Sequence, residues 1–159
     1  MKMIEAGKIR NYLITAAFIA VIFIGLSPHI SYLLYRRAGD YMSASMIKDA
    51  ARTYRKTLFF NAKDVDSRNW LAYCYNILGE REKAVAEYKT AIEYDPDNVT
   101  AYFDLGAIKR SEGDIASAKE YFNKVLDCSK SPNITDGNYR FYMRSARHML
   151  RIIREKYGD

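Results

Sequence analysis

The sequence predicts an all-α fold: an apolar N-terminal transmembrane helix followed by an array of helical hairpins. Three observations carry that prediction. A run of 24 residues, Tyr12 to Tyr35, contains no Asp, Glu, Lys or Arg. A pattern of small and aromatic residues returns every 34 residues from Ser31 to Pro132. Strand-like alternation bounded by turn residues is missing, and 8 Gly and 3 Pro against 14 Tyr suit helices packing through rings.

The first element covers residues 1–30, a tail and anchor. As a helix, the uncharged run reaches about 36 Å, enough for a hydrocarbon core of about 30 Å. Tyr12 at one end, and Tyr32, Tyr35, Arg36 and Arg37 at the other, are interfacial residue types. Two alternatives compete with an anchor. A secretory signal has a basic start like Lys2, Lys8 and Arg10, but cleavage near Gly25-Leu26-Ser27 would set Pro28 just past the cut. A buried helix of a soluble domain would be apolar on one face, whereas "AAFIAVIFIG" is apolar all round. Pro28 is expected to kink the helix, or to start a new one with Ser27 as N-cap. Three basic residues on each side (Lys2, Lys8, Arg10; Arg36, Arg37, Lys48) leave orientation undecided by charge. A short tail ahead of a first anchor favours an extracytoplasmic C-terminal domain.

Next come three units, 31–64, 65–98 and 99–132, the first degenerate and with a first helix that is a candidate continuation of the anchor. Shifting by 34 residues sets Leu71 on Leu105, Ala72 on Gly106, Gly79 on Gly113, Ala84 on Ala118, Tyr88 on Phe122 and Ala91 on Val125. Upstream, Ala38, Tyr41, Ala50, Tyr54 and Leu58 fall on Ala72, Tyr75, Ala84, Tyr88 and Ile92. A helix bearing Ala84, Tyr88 and Ala91 on one face and stopped at Asp95-Pro96 lets a partner helix approach over the alanines while the ring fills the gap. No hairpin buries such a stripe alone; stacked hairpins do.

These residues resemble the tetratricopeptide-repeat (TPR) pattern, well from Val65 to Pro132 and weakly from Ser31 to Asp64. The resemblance implies helix–turn–helix units with small residues at Ala72 and Gly106, turn glycines at Gly79 and Gly113, and a second-helix aromatic at Tyr88 and Phe122. Arg68 and Lys109 depart from it, standing where aromatics are usual. It also implies a concave groove lined by the first helix of each hairpin. Carried over, the groove positions are Asp66, Asn69, Tyr73, Asn76 and Ile77, then Thr100, Phe103, Ala107, Arg110 and Ser111. Of these, Asn69, Tyr73, Asn76, Ile77, Thr100, Phe103 and Arg110 are the candidate partner-binding set. The Lys and Asn that clamp an acidic C-terminal tail in co-chaperone TPR domains are replaced by Asn69 and Tyr73, so that function is not expected.

Residues 133–159 are predicted to form a basic capping helix. Tyr142, Ala146, Met149 and Ile153 share one face, and Arg140, Arg144, Arg147, Arg151 and Arg154 form a stripe opposite. Charge is segmented. Residues 36–63 carry seven basic and two acidic side chains, 64–136 nine and fourteen, and 137–159 six and two. An acidic middle leaves no continuous track for nucleic acid, and no nucleic-acid partner is expected.

Chemistry is sparse. Cys74 and Cys128 lack ligand spacing, His29 and His148 lack partners in sequence, and no HExxH, GxSxG, P-loop or GxGxxG occurs. No catalytic residue, metal or cofactor is expected. Taken together, the sequence points to a membrane-anchored protein–protein interaction adaptor. It would hold a peptide segment or complex subunit at the bilayer through its groove, as an assembly factor or accessory subunit, with residues 12–35 in lipid. The alternative is a permanent structural subunit packed through its anchor and Arg-rich helix.

Overall fold

Three chain reversals, centred on residues 45, 79 and 113, set the architecture. The computed structural model describes residues 2–128 and 137–158, with side chains over 12–128 and 139–158. Its helices are α1 (Lys2–Ser43), α2 (Ile47–Phe60), α3 (Val65–Ile77), α4 (Arg81–Tyr94), α5 (Val99–Ser111), α6 (Ile115–Asp127) and α7 (Gly137–Tyr157). No strand occurs among the described residues. The stretch "SKSPNITDG" (129–137), expected as a loop, lies outside them except for Gly137, which begins α7.

Each reversal is the same left-handed helix stop. Glu80 N–H donates to Tyr75 O at 2.9 Å and Gly79 N–H to Asn76 O at 3.1 Å, with Gly79 at φ 79°. Asp114 N–H and Gly113 N–H repeat the pattern onto Lys109 O and Arg110 O. Between α1 and α2, Met46 N–H and Ser45 N–H do so onto Tyr41 O and Met42 O, and here a serine holds φ 58°. A Cβ in this region is strained, at roughly 1–2 kcal/mol. Ser45→Gly should therefore raise stability by about 1 kcal/mol, read as a shift in the denaturation midpoint of the full chain.

Sequence chemistry also fixes the helix starts. Asp64, Asn98 and Asp114 accept hydrogen bonds from the amides of Ser67, Ala101 and Ser117, capping α3, α5 and α6. Between the caps, one buried stripe recurs. Ala50, Tyr54 and Thr57, then Ala84, Tyr88 and Ala91, then Ala118, Phe122 and Val125 are all essentially without solvent contact.

Helices α1–α2, α3–α4 and α5–α6 pair as hairpins, and α7 packs on α6 and α5. Helix α5 is the seam between two core clusters. Ala101, Leu105 and Ile108 belong to the upstream core, while Val99, Tyr102 and Phe103 lie against the downstream one. The cap's buried residues are Met143, Ala146 and Ile153, so its core face centres on Met143 and Ile153 rather than on Tyr142 and Met149, which are half-buried.

The two departures from the repeat pattern are resolved locally. Arg68 Nη1 meets Glu87 Oε2 at 2.7 Å, its Nη2 donates to Ala62 O, and its guanidinium lies over Tyr94. A charged fork thus occupies an aromatic's place. Lys109 leans outward to Glu112 at 2.8 Å.

Helix α1 corrects one expectation. It passes through Pro28 without a break, and Ser27 caps no new helix: its Oγ donates to Phe60 O at 3.0 Å, across to α2. Residues 12–26 are exposed along their whole length, unlike a helix buried in a soluble core. One helix is therefore long and apolar enough to cross a membrane.

Candidate partner-binding groove

Alternate helices line a concavity of about 900 Å³, one wall from each of α1, α3, α5 and α7. Their spacing follows from the stack: second helices carry the alanine stripe, so first helices face inward together. Tyr35 stands at one end, Tyr139, Phe141 and Tyr142 at the other, and α3 and α5 form the floor.

Four of the sequence-derived positions, Asn69, Tyr73, Thr100 and Phe103, meet here, with Asp66 beside them. Asn76, Ile77 and Arg110 lie outside the lining. They sit on the last turns of α3 and α5, whereas the aromatics of α7 enclose the first two turns.

Within the floor, the roles divide. Asn69 and Asn98 exchange side-chain amide hydrogen bonds at 3.2 and 3.3 Å, so Asn69 braces the α5 cap. Asn98 itself is buried. Thr100 and Tyr142 face each other across the groove lining. Phe103 packs between Phe122 and Tyr142, with ring centroids 5.6 and 5.5 Å away. Tyr73 is different. It is 41% exposed and meets Trp70 edge to face at 5.9 Å. Trp70 is equally exposed and stacks on buried Tyr54 at 6.4 Å.

The electrostatics depart from the sequence reading. Asp66, Asp95, Asp97 and Asp104 contribute four carboxylates, and the described lining includes no Lys or Arg. Asp104 is the most enclosed. It accepts the hydroxyl of Tyr88 at 2.7 Å, and burial pushes its carboxyl up to about 6 against that bond, which lowers it. Burial first, then the neighbouring Asp104 carboxylate, pushes the Tyr88 phenol well up. Sequence reasoning did not place the other eleven lining residues in the groove, among them Trp70, Asp95, Asp97, Asp104 and Phe141. Trp70 stands two residues past Arg68, where the repeat pattern has an aromatic; Asp95 and Asp97 read as cap and turn residues and Asp104 as an ordinary residue of α5, so the aspartates carried no such signal.

The Arg stripe of α7 faces outward, with Arg140, Arg144, Arg147, Arg151 and Arg154 all exposed. Arg151 contacts His148 Nδ1 at 3.0 Å and reaches Glu155 at 4.0 Å. Both cysteines are buried free thiols that burial pushes up to about 11, the wrong direction for a nucleophile.

Comparison with known proteins agrees with this geometry. Family models described as "TPR repeat" and "Tetratricopeptide repeat" match residues 73–113 and 99–131. A TPR repeat-containing protein of Methanocaldococcus jannaschii is 28% identical over 95 residues, covering 55% of this chain and 17% of its own length. Hsp70-Hsp90 organizing protein 2 of Arabidopsis thaliana is 26% identical over 100 residues, covering 63% of this chain and 18% of its own. The chain thus spans less than a fifth of the length of these relatives. The type III secretion translocator chaperone SycD of Yersinia enterocolitica shares the fold, with TM-score 0.74, 16% identity, and 82% of this chain and 96% of that one covered. SycD has also been solved with a peptide of the translocator YopD, at TM-score 0.70, 16% identity, and 79% and 92% coverage. By its repeats, stops and hairpin stack, the chain contains tetratricopeptide repeats, matched over residues 73–131.

Proposed function

We propose that this protein is a membrane-tethered adaptor whose groove holds a segment of a partner protein rich in basic and apolar side chains. The observation that carries this is the pairing of exposed Trp70 and Tyr73 with the four lining aspartates. Aromatic faces take up apolar side chains and cations, and the carboxylates attract Lys or Arg. An acidic tail would be repelled, in keeping with the missing carboxylate clamp. The peptide bound to SycD supports a peptide-sized occupant for such a fold. Residues 12–35 would anchor the array in the bilayer, and tethering would raise the local concentration of a partner at the membrane. On this reading the array stands on the extracytoplasmic side, and protease added to intact cells should remove residues beyond Arg36.

Tyr73→Ala and Trp70→Ala should each weaken capture about tenfold, as for aromatic anchors at an interface centre. Photo-crosslinking from position 73 in cells, followed by mass spectrometry, should return segments carrying basic residues beside apolar ones. Capture should fall as salt rises. A complex that resists both high salt and Tyr73→Ala would move the contact to the anchor and the exposed Arg stripe, and make the chain a permanent subunit.

A further inference from the structure

The first hairpin runs back along the apolar helix. Phe60, the last residue of α2, meets Phe23 with ring centroids 5.8 Å apart, and its carbonyl accepts from Ser27. The tip of α2 is therefore level with residues 23–27, inside the uncharged run that begins at Tyr12. Counted to the far side of that contact, Tyr12 to Ser27 is 16 residues, or about 24 Å of helix. A hydrocarbon core of about 30 Å is longer than that, and tilt widens the gap. Arg10 and Lys8 close the run on the far side, so the missing length must come from beyond Ser27.

We propose that the tip of α2, Phe59 with Phe60, is a second membrane contact, seated at the boundary between acyl chains and headgroups beside α1. This rests on residues 12–35 spanning the bilayer. The tip fits that place in three ways. Phe59 is 77% exposed, yet neighbours Leu58 and Phe60 in an apolar cluster. Exposed Lys56 and Lys63 flank it, suited to reach anionic headgroups. Two of the four carbonyls that the end of α2 leaves open are taken up, Phe60 O by Ser27 and Thr57 O by Asn61 N–H, and in the loop beyond it Asn61 O accepts from Asp64 N–H and Ala62 O from Arg68. Each carbonyl so taken up lowers the cost of seating the tip at the headgroup boundary, where water still reaches the others.

The test is spin labelling of the full-length chain in vesicles of phosphatidylcholine and phosphatidylglycerol. Labels go on Phe59→Cys and, separately, Ile19→Cys, while the buried native thiols react slowly. Collision with oxygen against collision with a water-soluble nickel chelate reports depth. The label at 59 is expected to favour oxygen several-fold over its value in detergent-free buffer, at a depth shallower than the label at 19. An aqueous signal at 59 with a lipid signal at 19 overturns the tip contact and leaves the anchor standing. Aqueous signals at both positions overturn both.

Discussion

Phe122→Ala is expected to destabilise the array by about 3–5 kcal/mol, the range for deleting a fully buried ring. Phe122 has no solvent contact and joins Ala118 and Val125 of α6 to Met143, Ala146 and Ile153 of α7. It also explains why position 106 is glycine where the preceding unit has Ala72. A Cβ on Gly106 would lie 2.8 Å from the Phe122 ring. The two positions should therefore couple with a change of sign. Gly106→Ala should cost stability in the native background through overpacking. In the Phe122→Ala background it should gain about 1 kcal/mol from helix propensity, because the clash is gone. Denaturant titration of the four variants measures this. Hydrogen exchange should localise the loss of protection to α5, α6 and α7, since each unit of a stacked array depends on its neighbours. Phe103, which leans on Phe122, should lose its place in the groove floor as well.

The hairpin order was legible because its signals are local. Glycines at 79 and 113 and small–aromatic–small stripes act within one helix or turn, so their spacing survives in the sequence. Ser45 shows the limit. It adopts the same left-handed stop as the glycines, but a serine carries no such signature, and the first unit looked weaker than its geometry is. The groove was half legible for a related reason. Lining positions follow from which helix faces inward, and Asn69, Tyr73, Thr100 and Phe103 came from that rule. What closes the groove depends on where α7 docks, a long-range packing outcome. Its aromatics cover the first turns of α3 and α5 and leave Asn76, Ile77 and Arg110 outside. The groove's charge changed with that shift, from a mixed surface with one Arg to an acidic one. Pro28 did not start a new helix: α1 continues through it, and Ser27, the expected cap, bonds across to Phe60 O of α2 instead.

Asp104→Asn is expected to raise stability at pH 7.5 by about 2–3 kcal/mol and, in the same protein, to weaken the binding of a basic segment. Burial moves the Asp104 carboxyl from 3.8 to about 6 in the folded chain, opposed in part by the Tyr88 hydroxyl. The folded state thus holds this proton more tightly than the unfolded one. The stability it contributes is complete below about pH 3.8 and is lost as pH rises through about 6, a fall worth about 3 kcal/mol. Asparagine keeps an oxygen to accept from Tyr88 and has no charge to desolvate, so the slope between pH 4 and 6 should vanish. Denaturant titrations from pH 4 to 8 would show it; an unchanged slope would mean that water reaches the carboxylate. The binding half gives the reason to keep the aspartate. Below pH 6 the native groove loses this negative charge, and capture of a basic segment should weaken there as it does in the asparagine variant at every pH. On the proposed reading, a carboxylate that costs the fold stability at neutral pH, on a wall shared with Asp66, Asp95 and Asp97, is kept for the cation it attracts. If Asp104→Asn stabilises the chain and leaves capture unchanged, the cationic-partner reading fails while the fold argument stands.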